Sequence, residues 1–306
     1  MIKNEKQKFL YSVIMIIMLS LLVFTCGGGN LIQNKIKGTG AKFNLIHVPT
    51  GTFTMADGLQ VTISNAYFMA ETEVTQELWE AVMKDTKNCA KPGILNGINN
   101  SSGFGGEKTP SGETQNKRPV EGVTWFDALE FCNELSDKTG LQDEKVYKFY
   151  GEIKRHPDGS IYNADVLPDF KKKGFRLPTE REWMWAAMGA DKCDPATGYL
   201  KAFAGDTIPA SKNINDYVWY GGNSNKGATT NTSHQVGKKK PNELGLYDMS
   251  GNVMEWCWEW HNYPTTRVAR GGCWYQGKEI CAIGYRKGSL TEIRGSQNGF
   301  RFVRNE

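Results

Sequence analysis

The residues of this chain best able to bind metals or do redox chemistry are its seven cysteines and four histidines. The histidines are His47, His156, His234 and His261, and the cysteines that follow Cys26 are Cys89, Cys132, Cys193, Cys257, Cys273 and Cys281. No Cys-x-x-Cys pair and no histidine cluster occurs, so the spacing contains no zinc signature. An even set of cysteines in an exported protein permits disulfides, but the spacing does not fix their pairing.

A second chemical pattern lies near the C-terminus, in residues 267–301. Three short motifs punctuate it: Arg270-Gly271-Gly272, Tyr285-Arg286 and Gly299-Phe300-Arg301. Between these motifs, aromatic, amide, aliphatic, basic and acidic side chains follow one another without the helix or strand period that a core segment would show. A rigid frame that holds chemically unrelated side chains is typical of a recognition surface.

Composition limits the classes of protein and of partner. Hydrophobic residues make up 39% and charged residues 23% of 306 residues, which is typical of a globular body. Thirty-four glycines and nine tryptophans favour a loop-rich fold held by large aromatic anchors. The net charge of +4 is small and mixed along the chain, so nucleic acid is not expected as a partner.

Residues 1–25 have the pattern of a bacterial secretion signal, because a lysine-containing start precedes a short apolar run. Leu22-Val23-Phe24-Thr25-Cys26 resembles a lipobox, with Thr25 where a smaller residue is usual. We therefore expect a lipid on Cys26, a tether over residues 26–43, and a location in the cell envelope, at the outer membrane surface. The alternative is an uncleaved N-terminal membrane anchor.

Residues 44–306 are predicted to form one domain. Thr75 is predicted to cap a helix from Gln76 to Met83, Thr124 to cap a second helix, and Thr179 to open a third through a capping box. Residues 45–48 and 60–63 are predicted strands. Residues 141–174 are predicted to form a hairpin insertion around Pro157-Asp158-Gly159, and residues 88–117 a long loop.

Four segments together resemble the formylglycine-generating enzyme, or sulfatase-modifying factor, family. They are EVTQ at 73–76, RLPTE at 176–180, GLYDMSGNVMEW at 245–256, and the frame from Arg-Gly-Gly to Gly-Phe-Arg. The resemblance implies an α+β fold of the C-type lectin class, rich in loops, with short helices and small mixed or antiparallel sheets.

The enzyme branch of this family oxidises a substrate cysteine to formylglycine with copper held by two cysteines. The matching positions in this chain are Gln276 and Cys281, so one ligand is missing, and Cys273 is displaced by three positions and is expected to point elsewhere. A lone thiolate beside an amide is a poor Cu(I) site. No copper and no catalysis are therefore expected, and formylglycine-generating oxidase remains the alternative.

A second branch, the variable proteins of diversity-generating retroelements, fits better, and within it the chain resembles treponemal variable lipoproteins. In that branch adenine-directed mutagenesis rewrites a C-terminal segment, here residues 267–301, which we call the variable segment. Asn codons changed at their two adenines can yield the residues found at Cys273, Tyr275, Gly277, Ile280, Ala282, Ile283, Gly284, Ser289, Leu290, Thr291, Ile293 and Gly295. With the fixed Trp274, these positions are the expected contacts to an unknown protein or glycan ligand. The alternative for Ile280, Ile283, Leu290 and Ile293 is that half of these aliphatic side chains belong to the core.

The resemblance also implies a structural calcium site at Asp248, Gly251, Val253 and Glu255, with two carboxylates and two backbone carbonyls as hard oxygen ligands. The alternative is that Glu255 pairs with an arginine such as Arg270. Trp256, Trp258 and Trp260 alternate as on a strand. They are expected to pack in the core beneath the variable segment, and an aromatic platform for sugars is the alternative.

The sequence thus predicts a lipid-anchored, non-catalytic binding protein. A third possibility is a periplasmic structural or accessory lipoprotein without a diversified site.

Overall fold

The computed structural model describes residues 31–36, 39–84, 109–262 and 264–306. Its strands are β1 (Leu31–Lys35), β2 (Lys42–Val48), β3 (Gly51–Thr54), β4 (Gln60–Ile63), β5 (Tyr67–Ala70), β6 (Tyr147–Arg155), β7 (Ile161–Pro168), β8 (Phe175–Arg176), β9 (Met254–Trp260), β10 (Thr266–Arg270), β11 (Lys287–Leu290), β12 (Asn298–Gly299) and β13 (Val303–Asn305). Its α-helices are α1 (Gln76–Met83), α2 (Trp125–Lys138), α3 (Glu180–Met188) and α4 (Ile214–Tyr217).

Two small sheets organise the domain. The first has five strands in the order β1-β2-β5-β13-β8, so the last strand of the chain lies inside the sheet between β5 and β8. The second has the order β11-β10-β9-β12, with β12 parallel to β9. Strands β3–β4 and β6–β7 form separate antiparallel hairpins, and the second is the predicted insertion. The expected α+β arrangement with short elements is confirmed.

The predicted helix starts are confirmed. Thr75 accepts from the backbone N–H of Leu78 at the start of α1. Thr124 and Thr179 each form a full capping box, with Asp127 and Glu182 bonding back to the cap. Each cap satisfies backbone donors that have no partner within the helix, so local sequence is enough to fix these three starts.

The predicted tether over residues 26–43 is wrong for its second half. Residues 31–35 form an edge strand whose partners include Leu31 with Ile46 and Lys35 with Lys42, and Ile36 is buried. The folded domain therefore begins by Leu31 rather than at residue 44. The segment LIQNK was missed because it is short and half polar, as edge strands usually are.

The core is rich in aromatic rings and carries reduced cysteines. Trp125, Trp183 and Trp256 are fully buried. The five cysteines between residues 109 and 306 are all free thiols: Cys132, Cys193, Cys257, Cys273 and Cys281. No helix in the described part of the chain is both long and apolar enough to cross a bilayer. The predictions for residues 1–25, for lipid on Cys26 and for Cys89 concern positions outside the described residues, as does most of the predicted loop at 88–117.

Candidate functional site

The frame predicted for the variable segment is held by buried arginines. Arg270 is 1% exposed and donates through Nε and Nη2 to Glu180 Oε1 and through Nη1 to the carbonyls of Ile283 and Tyr285. Arg286 donates from Nε to the same Glu180 oxygen at 2.7 Å. One carboxylate of α3 therefore joins both ends of the loop at 270–286, and charge-assisted bonds of this kind are the stronger ones in proteins.

The third arginine of the frame, Arg301, is anchored more deeply. Its side chain is fully buried and donates from Nε and Nη2 to the two oxygens of Glu255, both at 2.8 Å. Its remaining N–H groups reach the carbonyls of Ala70, Glu71 and Tyr247. Arg301 therefore ties the end of the variable segment to β5, to the following turn and to β9.

The expected ligand contacts divide by exposure. Tyr275, Gly277, Leu290 and Ile293 are exposed, and the three side chains among them show 40–44% of their surface to solvent. Ile280, Ala282, Gly284 and Gly295 are half-buried. Cys273, Trp274, Ile283, Ser289 and Thr291 are buried, each at most 9% exposed. The prediction that all thirteen positions face a ligand is therefore wrong for the buried five.

The buried positions have structural partners instead. The indole N–H of Trp274 donates to the Ser296 carbonyl at 3.1 Å, and its ring packs in the main core. Ile283 belongs to the second core cluster. The Thr291 carbonyl accepts from the Trp125 backbone N–H at the start of α2. A segment without a regular period can alternate irregularly between core and solvent, and the sequence does not show which side chains turn inward.

Of the two positions that match the copper ligands of the enzyme branch, only Cys281 offers a thiol. Burial raises the pKa of the Cys281 thiol to about 12 and that of the Cys273 thiol to about 11. Gln276 offers an amide oxygen rather than a sulfur. Within the described residues, no three His, Cys, Asp or Glu side chains are placed to hold a metal ion.

We expected Cys273 to point away from the copper positions because it is displaced by three residues, and this expectation is wrong. Its Sγ lies 3.4 Å from the Gln276 side-chain oxygen, at the first of the two copper positions. The neighbouring Gly272 has φ +76°, and a Cβ at that position would lie 3.0 Å from the Cys281 Sγ. Because glycine has no side chain, Cys281 can pack closely against this turn. The Cys273 thiol therefore lies beside the amide that occupies the first copper position.

The predicted calcium ligands are close in sequence but do not form a free oxygen cage. Asp248 accepts the Gly237 backbone N–H through Oδ2, and its Oδ1 is buried without a hydrogen-bond partner among the described residues. Glu255 has no free oxygen, since Arg301 holds both and the Trp183 indole N–H also donates to Oε2 at 2.7 Å. Glu255 therefore forms the ion pair that was the alternative to calcium, and its partner is Arg301. Arg270 pairs with Glu180 instead.

This arrangement makes calcium removal an informative test. Because Arg301 already neutralises Glu255, we expect that EDTA leaves the thermal midpoint of the purified protein unchanged within about 1 °C, and that added Ca²⁺ does not raise it. Differential scanning calorimetry with and without EDTA would check this. A thermal midpoint that falls with EDTA and recovers with Ca²⁺, but not with Mg²⁺, would mean that the protein binds calcium and that Glu255 exchanges Arg301 for the ion.

Sequence reasoning missed a groove between the hairpin β6–β7 and the second sheet. We call it the aromatic groove, and its volume is about 580 Å³. Its lining residues are Trp125, Phe126, Tyr150, Tyr162, Asn163, Ala164, Asp165, Val166, Trp260, Pro264, Thr265, Arg267, Thr291 and Glu292. The alternation of Trp256, Trp258 and Trp260 was the available signal. Trp256 is in the core and Trp258 is packed against it, as expected, whereas Trp260 is 46% exposed in the groove.

Arg267 forms part of the groove wall. Its guanidinium lies over the Trp260 ring at 3.3 Å and over the Trp125 ring at 3.8 Å, measured to the ring centroids. Nη1 donates to the Trp258 carbonyl at 2.5 Å, and burial lowers the pKa of Arg267 to about 9. This cation–π stack fixes the orientation of Trp260 although that ring is partly solvent-exposed.

Comparisons with known proteins agree with this geometry. Residues 34–306 match the family described as sulfatase-modifying factor enzyme 1-like domain. The solved structure of Treponema denticola variable protein 1 is 34% identical, with a TM-score of 0.69, and the alignment covers 90% of this chain and 99% of that one. The fold is thus the one that the sequence motifs implied.

Two curated relatives differ in what their names describe. The chaperone protein LppX of Paenibacillus barcinonensis is 34% identical over 267 residues, which is 80% of this chain and 82% of that protein. A formylglycine-generating enzyme of Thermomonospora curvata is 34% identical over 172 residues, which is 48% of this chain and 54% of the enzyme. This chain therefore aligns with only about half the length of that enzyme.

Proposed function

Because the chain belongs to the sulfatase-modifying factor enzyme 1-like family, we propose that it uses the family fold for binding rather than catalysis, at the exposed part of its variable segment. One observation carries the proposal. Tyr275, Leu290 and Ile293 are exposed, while the backbone around them is held by Arg270 and Arg301, which bond to buried carboxylates and carbonyls. The shape of the surface therefore does not depend on these three side chains, which are free to differ.

The similarity to Treponema denticola variable protein 1 supports diversification of this surface. The test is genomic. We expect a nearby reverse transcriptase gene and a template repeat of the codons for residues 267–301, with differences confined to adenines in the template. Differences spread evenly over all four bases, or no repeat, would contradict diversification. We expect fewer diversified positions than the sequence alone suggested. They should centre on the exposed residues Tyr275, Gly277, Leu290 and Ile293.

Display at the cell surface on a lipid anchor is part of the same proposal. Metabolic labelling with an alkyne fatty acid should mark the wild-type protein and fail with Cys26→Ala. Protease treatment of intact cells should then remove the labelled protein if it faces outward. Wild-type protein that stays in the membrane fraction without taking up label would point to the uncleaved N-terminal anchor, and protection from protease would place the protein in the periplasm.

The oxidase alternative has a direct test at Cys281. We expect the copper-loaded protein to leave a Cys-x-Pro-x-Arg peptide unchanged, because Gln276 at the first copper position supplies no thiolate. Mass spectrometry of the peptide would detect the loss of sulfur on conversion to an aldehyde. Turnover that disappears in Cys281→Ala would overturn the non-catalytic proposal.

An accessory function is the second candidate, favoured by the identity with the chaperone LppX over 80% of this chain. A chaperone would bind unfolded clients through a surface that is constant between strains. Refolding yield of a chemically denatured model protein, measured with and without this protein, would separate the two functions. An increase that survives replacement of Tyr275, Leu290 and Ile293 by serine would favour the chaperone.

A further inference from the structure

Exposed aromatic side chains are concentrated in the aromatic groove. Among the described residues, the exposed large aromatics are Tyr150, Tyr162, Trp260 and Tyr275, with 38–50% of their surface open to solvent. The first three line the same groove. Exposed apolar surface gathered in one concavity marks an interaction site more strongly than the same residues scattered singly. The groove volume of about 580 Å³ is also within the usual range of ligand sites.

Contacts behind the groove hold two of these rings in place. Trp260 is stacked on Arg267, and Tyr162 contacts the His156 ring with 4.8 Å between centroids. A ring that is already oriented loses little conformational entropy when a ligand covers its free face. The groove is therefore organised before any ligand arrives.

The polar groups of the groove offer both acceptors and donors. Asp165, Asn163 and Glu292 are exposed and line it. Arg267 adds N–H donors to the groove wall: Nη1 donates to the Trp258 carbonyl, and Nε has no hydrogen-bond partner among the described residues. This mixture suits a neutral ligand with many hydroxyl groups, since a hydroxyl both donates and accepts. A positively charged ligand is disfavoured, because the Arg267 guanidinium already lies over the Trp260 and Trp125 rings.

We propose that the aromatic groove binds a carbohydrate, with the C–H face of a pyranose ring against Tyr162 or Trp260 and its hydroxyls bonded to Asp165, Glu292 and Arg267. No metal ion is required for this contact. The inference deepens the proposed function, because Thr291 and Glu292 belong to the variable segment while Tyr150 and Tyr162 come from the hairpin outside it. Thr291 is buried, and neither it nor Glu292 is among the four exposed positions expected to differ, so the groove would stay constant while the neighbouring Leu290 and Ile293 vary between strains.

The test uses the full chain purified in detergent, with EDTA present, and linear trisaccharides of glucose, mannose, galactose and N-acetylglucosamine. Saturation-transfer NMR would report binding, and tryptophan fluorescence would give the affinity. We expect at least one trisaccharide to bind, Tyr162→Ala and Trp260→Ala to weaken it roughly tenfold, and Tyr162→Phe to retain it. Leu167→Ala is the matched control, because Leu167 is 60% exposed on the same hairpin and does not line the groove.

The outcomes separate this inference from the proposed function. No binding by any of the four sugars at about 10 mM, or binding of a basic peptide in their place, overturns the carbohydrate groove. Sugar binding that is abolished by Tyr275→Ala and unchanged by Tyr162→Ala also overturns the carbohydrate groove. It would leave the proposed binding function of the variable segment in place. Sugar binding that is lost in Tyr162→Ala but unaffected by Glu292→Gln and Leu290→Ser supports the groove. It would also show that the variable segment does not contribute to sugar binding there. Circular dichroism of each variant would exclude loss of folding.

Discussion

Replacing Arg301 with methionine is expected to lower the free energy of unfolding by about 3–5 kcal/mol, because it leaves a buried carboxylate without its partner. Glu255 would lose both bonds from Arg301, and Glu73 and Asp248 lie close enough to repel it. Burial and these neighbouring carboxylates already raise the pKa of Glu73 well above its usual value. Urea denaturation followed by circular dichroism would measure the loss.

The matched control is Arg304→Met, three residues further along. Arg304 is half-buried and lies over the Phe68 and Phe175 rings without a buried carboxylate as partner, so we expect a loss of about 1 kcal/mol or less. The double variant Arg301→Met with Glu255→Gln should recover part of the stability, since it removes the isolated charge. Equal losses for Arg301→Met and Arg304→Met would show that the buried ion pair contributes little.

Replacing Gly272 with alanine is expected to cost about 3 kcal/mol and to disturb the exposed loop that follows it. Gly272 has φ +76°, which costs a residue with a side chain about 1–2 kcal/mol. In addition, a Cβ there would lie 2.7 Å from the Ile280 carbonyl oxygen and 3.0 Å from the Cys281 Cα. Both are backbone atoms, so overpacking adds a penalty of about 1–3 kcal/mol.

Gly237→Ala separates the two parts of this cost. Gly237 has φ +70°, but nothing lies within 4 Å of its virtual Cβ, so only the backbone term of about 1–2 kcal/mol is expected. Thermal denaturation of both variants would give the difference, and hydrogen exchange over residues 273–286 would show whether the loop moves. The interpretation of Gly272 as a packing point would be wrong if the two variants were equally stable.

The elements that sequence predicted best are those fixed by near neighbours. Thr75, Thr124 and Thr179 cap helices through atoms three residues away, and the hairpin at Asp158 depends on one turn. The alternation of Trp256 and Trp258 likewise fixes a strand locally. Such features need no knowledge of what packs against them.

The partners that sequence missed are distant along the chain. Arg270 was the arginine named as a possible partner of Glu255, and only the fold shows that Arg301 reaches Glu255 while Arg270 reaches Glu180. Tyr162 and Trp260 line one groove although nearly a hundred residues separate them. Between Cys273 and Thr291, exposure follows the path of a loop rather than a period, so residue type alone could not sort the buried positions from the exposed ones.

The position of β13 has a consequence for how variants are made. Val303 pairs with Met69 on one side and with Arg176 on the other, so the first sheet is closed by residues translated after the whole variable segment. A premature stop codon anywhere in residues 267–301 deletes this strand and leaves two unpaired edges. Truncated products would be cleared by proteolysis, and only chains read through to the end would be available for selection.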